Sequence, residues 1–358
     1  MLNIYSEEVY HSEMFDLIKR DNAIIVKLNV NNNLMISSWH NSGYHENMKY
    51  VVNQSLTNDD YSLFSHMNYE TFQQKRMNEL GLNSLYSTGL LTSACMDNYA
   101  ISTHTFQELT VTSIITAGAD KNGIKAGDKA SFYEYNNEYN LNYGTINIFL
   151  IIDANLEPGA LITSIITATE AKTSVLQDLK IESQFSTNIA TGTGTDGICV
   201  ISNKSSNNHL ENAGKHSKLG ELIAKSVQNA LLEALYLQTA MSKEYQKSVL
   251  SRLSRFNIYF DTFYNKVSHQ IELKEYCAKL YPFINDSSNI SWISSVINLI
   301  DEAQVNLLTL EEISEPIIKI VNTFLEENYK KRIFNSVEEI LDFIINSINF
   351  HILKDKKK

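Results

Sequence analysis

The 358-residue chain has few cysteines and no excess of positive charge. Its three cysteines, Cys95, Cys199 and Cys277, are scattered and form no CxxC pair. This pattern excludes a disulfide framework and is typical of free thiols in a reducing compartment. The net charge of −11 argues against a nucleic-acid partner, because binding to a phosphate backbone requires a basic surface.

Long apolar runs and targeting features are missing as well. No apolar run approaches the length of a membrane span. The first residues, MLNIYSEEVYHSEMFD, are acidic and lack the basic start and apolar core of a signal peptide. We therefore expect a cytoplasmic protein with no membrane partner. No metal-ligand cluster is apparent either, so we expect neither a metal nor a cofactor.

Glycine is absent after Gln238, and this change divides the chain. A length of 358 residues favours two domains. We predict a mixed α+β domain over residues 1–238 and an all-helical region of unknown role over residues 239–358. The helices predicted there are Ser242–Tyr264, Ser268–Leu280, Ile290–Leu308, Leu310–Glu327 and Ser336–Leu353, with Pro282 and Pro316 at boundaries. One use of these helices would be to pair copies of the chain as a homo-oligomer.

The start of the first domain contains short β-branched segments bounded by turn residues. Ile24–Val30 and Leu34–Trp39 flank an Asn-rich turn, which predicts a hairpin. Tyr69–Leu80 has a helical pattern that ends at Gly81. Gly89–Ala94 and Glu108–Gly118 are typical of strands, with a third strand allowed between them.

The stretch from Gly144 to Val227 contains the most informative pattern. An apolar run, Ile146–Ile152, is followed by a long helical pattern that begins after Pro158. The bend ATGTGTD precedes a second apolar run, Ile198–Ile201, and Ser217 then caps a second long helix. This order predicts a mixed sheet packed with two long helices.

Lys172 falls on the apolar face of the first long helix. A buried ammonium is costly unless it is paired, so Lys172 needs a carboxylate partner or reaches into a functional site. Another stripe of this helix is polar, and it is either a hydrated face or the lining of a cleft. Its members are Thr163, Thr167, Glu170, Ser174 and Asp178.

The bend ATGTGTD, residues 190–196, combines two glycines with three threonines and ends in Asp196. Such a bend either presents backbone N–H groups to an anion or is only a tight loop. It lacks the lysine of a P-loop and precedes a strand, which makes a nucleotide-phosphate site a weak interpretation. His216, just before the second helix, is either a surface residue or a general acid or base.

Three long segments together resemble the adenosylcobinamide amidohydrolase family. They are GTINIFLIIDANLEPGALITSIITATEAKTSVLQDL, ATGTGTDGICVIS and AGKHSKLGELIAKSV, and the resemblance extends over about Leu34–Gln238. It implies hydrolysis of the amide that joins aminopropanol to a propionate side chain of the corrin ring. The implied products are adenosylcobyric acid and 1-aminopropan-2-ol, and the implied partner is a small-molecule corrinoid.

Amide hydrolysis requires acid–base groups and donors for the oxyanion. As catalytic candidates we take Asp196, Glu170, His216 and Lys172. As substrate-binding candidates we take Thr191, Gly192, Thr193, Gly194, Thr195, Asn147 and Thr167. A corrinoid-binding module that has lost hydrolysis, with the helical region as a partner-docking arm, is the alternative.

Overall fold

The chain forms two compact units, Met1–Ser242 and Lys243–Lys358. The structure is a computed structural model that describes residues 6–64, 66–131, 133 and 144–354. In the first unit the strands are β1 (Ser6–His11), β2 (Phe15–Arg20), β3 (Ala23–Leu28), β4 (Asn32–Ile36), β5 (Gly43–Glu46), β6 (Tyr50–Ser55), β7 (Ser87–Thr92), β8 (Ala100–Phe106), β9 (Leu109–Ala117), β10 (Gly123–Ile124), β11 (Ile146–Ile152), β12 (Asn155–Leu156), β13 (Gly192–Thr193), β14 (Gly197–Asn203) and β15 (His209–Leu210). The helices of this unit are α1 (Asn58–Leu63), α2 (Tyr69–Glu79), α3 (Pro158–Asp178) and α4 (Lys218–Thr239).

Two mixed sheets carry the first unit. One has the strand order β1-β2-β3-β6-β7, and the other has the order β5-β4-β14-β11-β9-β8. All neighbours are antiparallel except β6 with β7 and β11 with β14, which are parallel. Two short strand pairs complete the unit. The pair of β10 with β13 is antiparallel, and the pair of β12 with β15 is parallel. The predicted mixed α+β class is confirmed.

Alternation along β11 shows how the layers are held together. Ile148 and Leu150 point to one face, where they join a core with α3 and α4. Phe149 and Ile151 point to the other face, where they join a core with the five-stranded sheet. This alternation follows from the two-residue period of a strand. The same parity directs Thr145 and Asn147, at the start of β11, into the space between the sheets.

The long helices begin and end where the sequence indicates. Pro158 is the first residue of α3, and Ser217 caps α4 by accepting a hydrogen bond from the backbone N–H of Gly220 at 3.0 Å. The expected helix over residues 69–80 and the expected strand over residues 146–152 also form. The apolar faces of α3, α4 and residues 146–152 supply the core between the six-stranded sheet and the two long helices.

The predicted hairpin of residues 24–39 is wrong. β3 pairs with β2 and β6 in one sheet, whereas β4 pairs with β5 and β14 in the other. The asparagines between them bond to distant backbone and side chains instead of closing a tight turn. Asn29 donates to Asp16 Oδ1 at 3.0 Å, and Asn32 donates to the Met48 carbonyl at 2.9 Å. The chain therefore crosses between sheets at this point.

The second unit is helical. Its helices are α5 (Val249–Leu253), α6 (Phe260–Tyr264), α7 (Leu273–Ile284), α8 (Ser287–Gln304), α9 (Leu310–Leu325) and α10 (Val337–Leu353). The single helix predicted over residues 242–264 is wrong, because Asn257 adopts a left-handed conformation between α5 and α6. Pro282 and Pro316 lie inside α7 and α9 and not at their boundaries.

Candidate functional site

A cavity of about 320 Å³ lies in the first unit at the amino ends of β11 and β14. One wall is apolar and partly aromatic, and the other is polar. The apolar wall includes Trp39, Leu56, Tyr61, Tyr69, Leu90 and Phe185. The polar wall includes Ser37, Ser38, Ser93, Asn122, Thr145, Asn147, Gly194, Thr195 and Asp196.

Asp196 is the ionic centre of the bend beside this cavity. Its carboxylate accepts hydrogen bonds from the Thr193 N–H at 3.1 Å, the Thr193 hydroxyl at 2.5 Å and the Ile146 N–H at 3.2 Å. It also forms an ion pair with Lys172, whose side chain is 10% exposed. The carboxylate partner expected for Lys172 is therefore Asp196. A Cβ at Gly192 would lie 2.7 Å from Lys172 Nζ and closer still to the Asp196 carboxylate, so a side chain there would displace the ion pair.

The backbone N–H groups of Thr191, Thr193 and Gly194 in the bend bond within the protein. The N–H of Thr191 donates to the Ile124 carbonyl at 3.0 Å, and the N–H of Gly194 donates to the Asn122 carbonyl at 3.3 Å. The anion that the N–H and hydroxyl of Thr193 bind is the Asp196 carboxylate. The bend is therefore an anion-binding loop whose anion belongs to the chain, which corrects the expectation that these N–H groups face a substrate.

Two threonine hydroxyls meet where the bend approaches the start of β11. Thr145 Oγ1 lies 2.6 Å from Thr195 Oγ1, and the Thr195 hydroxyl donates to the Gly144 carbonyl at 3.0 Å. Asn122 Nδ2 donates to the same carbonyl at 2.8 Å. A hydroxyl has one proton, so Thr195 uses its own for Gly144, and Thr145 is the donor in the contact between the two hydroxyls.

Asn147 is held rigidly beside this pair. Its Nδ2 donates to Asn53 Oδ1 at 2.8 Å and to the Leu91 carbonyl at 3.0 Å. Asn53 in turn donates to Thr116 Oγ1 at 2.8 Å. This buried chain links both sheets. A Cβ at Gly197 would lie 2.7 Å from Asn147 Oδ1, which explains the glycine at the start of β14.

Another carboxylate fixes the aromatic wall. Asp128 accepts from the hydroxyls of Ser183 at 2.7 Å and Ser186 at 2.8 Å, and from the Lys125 N–H at 3.1 Å. Burial raises the pKa of Asp128, but these donors outweigh burial and hold the pKa below its ordinary value. The loop that places Phe185 in the cavity wall is thereby tied to a charged carboxylate.

The structure does not bring all the predicted site residues together. Asp196, Thr195, Gly194 and Asn147 line the cavity. The predicted residues outside its lining are Glu170, Lys172, His216, Thr167, Thr191, Gly192 and Thr193. Glu170 pairs with the exposed Lys215, His216 is exposed, and the Thr167 hydroxyl donates to the Ala213 carbonyl at 2.8 Å. Thr167 and Glu170 of the polar stripe therefore face the loop before α4, and no residue of the stripe lines the cavity.

Helix geometry explains this separation. Residues 170 and 172 of α3 are two positions apart, which is about 200° around the helix axis. Lys172 faces the bend, so Glu170 has to face away from it. The catalytic candidates Asp196, Glu170 and His216 therefore do not meet at the cavity.

Sequence reasoning missed Thr145 and Asn122. Thr145 is a hydroxyl residue between a glycine and a largely apolar buried strand, and this position at a strand end is a usable signal. Asn122 lies in the glycine-containing loop after β9, where no neighbouring residue in the sequence indicates a catalytic role. Its importance follows only from the contact of its amide with Gly144.

Other chemistries find less support among the described residues. Cys199 is fully buried between the sheets, and burial raises the pKa of its thiol, which makes it unreactive. Within residues 6–64, 66–131, 133 and 144–354, no three His, Cys, Asp or Glu side chains are grouped as metal ligands. No helix in the same ranges is long and apolar enough to cross a bilayer.

The fold and the cavity define a two-sheet α+β protein with a hydroxyl-rich site enclosed between its sheets. The chain belongs to the adenosylcobinamide amidohydrolase family, whose model matches residues 6–243. Membership places it among the amidohydrolases.

Individual relatives add little detail. An uncharacterized protein of Methanocaldococcus jannaschii is 37% identical over 203 residues, which cover 53% of this chain and 78% of that protein. Among solved structures, the L-aminopeptidase D-Ala-esterase/amidase of Ochrobactrum anthropi, described as a variant of the Ntn hydrolase fold, is 10% identical with a TM-score of 0.33, covering 66% of this chain and 82% of that one. A protein of Pyrococcus horikoshii OT3 is 9% identical with a TM-score of 0.32, covering 64% and 83%. At these scores the structural similarity says nothing about function.

Proposed function

We propose that the first unit hydrolyses the amide between the aminopropanol arm and a propionate side chain of adenosylcobinamide. The products would be adenosylcobyric acid and 1-aminopropan-2-ol, a reaction of corrinoid salvage. Family membership supports the reaction class. The volume of about 320 Å³ is at the lower end of the range for ligand pockets, roughly 300–1,000 Å³, and suits an arm of the substrate. The corrin ring would then remain at the mouth of the cavity.

The observation that carries this proposal is the cluster of Thr145, Thr195 and Asn122 at the polar wall. The Thr145 hydroxyl lines the cavity and donates to Thr195 Oγ1, and we assign its oxygen as the nucleophile. Asn122 Nδ2 and the Thr195 hydroxyl are side-chain donors that meet at one carbonyl oxygen. Two such donors are what a tetrahedral intermediate of amide hydrolysis requires.

Asp196 and Lys172 act in this proposal as positioning residues. Asp196 bonds both to Thr193 in the bend and to the N–H of Ile146, the residue after Thr145. The carboxylate therefore sets the distance between the two threonine hydroxyls. Lys172 balances its charge inside the fold. Neither residue needs to contact the substrate.

Incubation of the purified full chain with adenosylcobinamide tests the proposal. Mass spectrometry should detect adenosylcobyric acid and 1-aminopropan-2-ol in equal amounts. The matched variants are T145V, which removes the hydroxyl and keeps the shape, and T169V, which makes the same change at an exposed position of α3. We expect product with T169V and none with T145V. Binding of adenosylcobinamide without product in the wild type would favour the non-catalytic corrinoid-binding module instead.

A further inference from the structure

Thr145 Oγ1 bonds to no base among the residues that the structure describes. Among the described residues, the hydrogen-bond partner of Thr145 Oγ1 is Thr195 Oγ1, which does not titrate near neutral pH. A threonine hydroxyl is a weak nucleophile unless a base accepts its proton, and one solution is the α-amine of an N-terminal threonine. That amine has an ordinary pKa of about 7.7–8.0, which suits a base at neutral pH. In the intact chain, however, the nitrogen of Thr145 is part of a peptide bond.

The carbonyl that precedes Thr145 is held in an unusual way. Gly144 O accepts two side-chain hydrogen bonds, from Asn122 Nδ2 at 2.8 Å and from Thr195 Oγ1 at 3.0 Å. Preorganised side-chain donors on one oxygen form an oxyanion hole. The Thr145 hydroxyl belongs to the next residue, so it can reach the Gly144 carbonyl carbon through a five-membered ring. A carbonyl, an oxyanion hole and a nucleophile therefore meet at a single peptide bond.

We propose that the chain cleaves its own Gly144–Thr145 peptide bond and that Thr145 becomes the N-terminal nucleophile of the amidohydrolase. The role of the new N-terminal Thr145 as the nucleophile rests on the proposed function, whereas the cleavage itself does not. Self-cleavage itself needs no substrate other than this bond and one water molecule.

Self-cleavage proceeds as an N-to-O acyl shift followed by hydrolysis of the resulting ester. Thr145 Oγ1 passes its proton to Thr195 and bonds to the Gly144 carbonyl carbon, while Thr195 passes its own proton to the Gly144 oxygen. The C–N bond then breaks as that proton moves to the Thr145 nitrogen, which leaves an ester and a free amine. Water cleaves the ester, so Gly144 ends as a carboxylate and Thr145 regains its hydroxyl.

The backbone at Gly144 suits this attack. Its φ of +103° lies in the region that favours glycine, and a Cβ there would lie 3.0 Å from both the Gly118 carbonyl oxygen and the Asn122 side chain. Its N–H donates to the Ser93 hydroxyl at 2.9 Å. Hydrogen bonds therefore hold both the N–H and the carbonyl of Gly144. A residue with a Cβ at this position would displace Asn122.

Cleavage would also complete the site for the external amide. Once Gly144 ends as a carboxylate, its oxygen no longer has to lie between Asn122 and Thr195, and the two donors become free for the carbonyl of a substrate. The Thr145 amine gains the proton-accepting lone pair that the hydroxyl lacks. The bond from the Ile146 N–H to Asp196 holds the start of β11 in place during the change.

Intact-mass spectrometry and N-terminal sequencing of the denatured full chain test the inference. We expect two fragments, residues 1–144 and 145–358, whose summed mass exceeds that of the uncut chain by one water. The new N-terminus should read Thr-Ile-Asn. T145S should be cut, T145V should remain whole, and T169V should be cut like the wild type. Circular dichroism of T145V checks that its fold is retained.

A second variant keeps the test decisive if T145V does not fold. N122A retains the nucleophile but loses one oxyanion donor, so its cleavage after synthesis should be slower by about 10²–10³-fold. A wild-type chain that stays whole on prolonged incubation overturns the inference, as does cutting of T145V at the same bond. Hydrolysis of adenosylcobinamide by an uncut chain would overturn self-cleavage alone, whereas a cut chain without hydrolysis would overturn the proposed function alone.

Discussion

Helix α3 contributes one member to each of two lysine–carboxylate pairs, which differ in burial and in the other groups that they contact. Lys172 with Asp196 is buried, with side chains that are 10% and 20% exposed. Glu170 with Lys215 is open to solvent, with side chains that are 48% and 62% exposed. The first pair also bonds to the bend and to β11, whereas the second lies at the loop before α4.

The buried Lys172–Asp196 pair holds the bend and the start of β11 in place, whereas the Glu170–Lys215 pair lies on a hydrated surface. Removing one partner of a buried pair leaves the other charge without compensation, and the penalty is large. An exposed pair contributes little because water screens it. A carboxylate near a family motif is therefore a weak sign of function until its burial and its donors are known.

The largest expected contrast is in turnover. T145V should lower kcat/KM for adenosylcobinamide by about 10⁴-fold or more, because removing a nucleophile removes the covalent step. T145S should retain measurable turnover, and E170Q should keep the wild-type value. Steady-state assays of the three variants check this prediction. Equal losses in T145V and E170Q would place Glu170 back in the mechanism.

Stability should separate the two pairs next. D196A should lower the free energy of unfolding by about 3–5 kcal/mol, because it leaves Lys172 buried and unpaired. E170A should change it by about 0–1 kcal/mol. Urea unfolding of both variants measures the difference. Similar values for both would mean that Lys172 finds another partner or reaches water.

A smaller contrast is expected from two glycines near the same helix. In G192A the new methyl group meets Lys172 and Asp196, and we expect a loss of about 1–3 kcal/mol. In G159A, on the exposed first turn of α3, a Cβ meets nothing within 4 Å, so stability should stay or rise by about 0.4–1 kcal/mol. Thermal melting of both variants tests whether the Lys172–Asp196 pair can accommodate the added methyl group.

The smallest effect concerns the exposed side of α4. Hydrogen bonds from Lys218 and Lys225 lower the pKa of Glu221 from 4.5 to about 2. The carboxylate is therefore charged at neutral pH, and what stability it contributes is present above its ordinary pKa and lost as pH falls towards 2. NMR titration should find the lowered pKa, and 1 M salt should move it back towards 4.5. A salt-independent value would mean that this surface is less solvated than the structure indicates.

Much of the fold follows from local patterns. The apolar runs of β11 and β14, the proline at the start of α3 and the serine cap of α4 are short-range signals, and each element forms where they predict it. The hairpin was wrong because strand pairing is a long-range property. β3 and β4 have strand character, but their partners are chosen by cores that involve distant segments.

The site was predictable only in part for the same reason. The buried position of Lys172 in the helical phase indicated a carboxylate partner, and the bend contains it. The cluster of Thr145, Thr195 and Asn122 joins three segments separated by tens of residues, and no local pattern links them. Glu170 and His216 lie near the motifs in sequence, but α3 turns Glu170 away from the cavity and His216 is exposed before α4.

The central claim is that the Thr145 hydroxyl attacks the substrate amide. Acid quenching of the wild-type protein during its first turnover of adenosylcobinamide, followed by peptide mass spectrometry, tests it most directly. We expect the corrinoid acyl group as an ester on Thr145. An acyl group on another residue, or turnover during which residue 145 stays unmodified at every quench time, would contradict it.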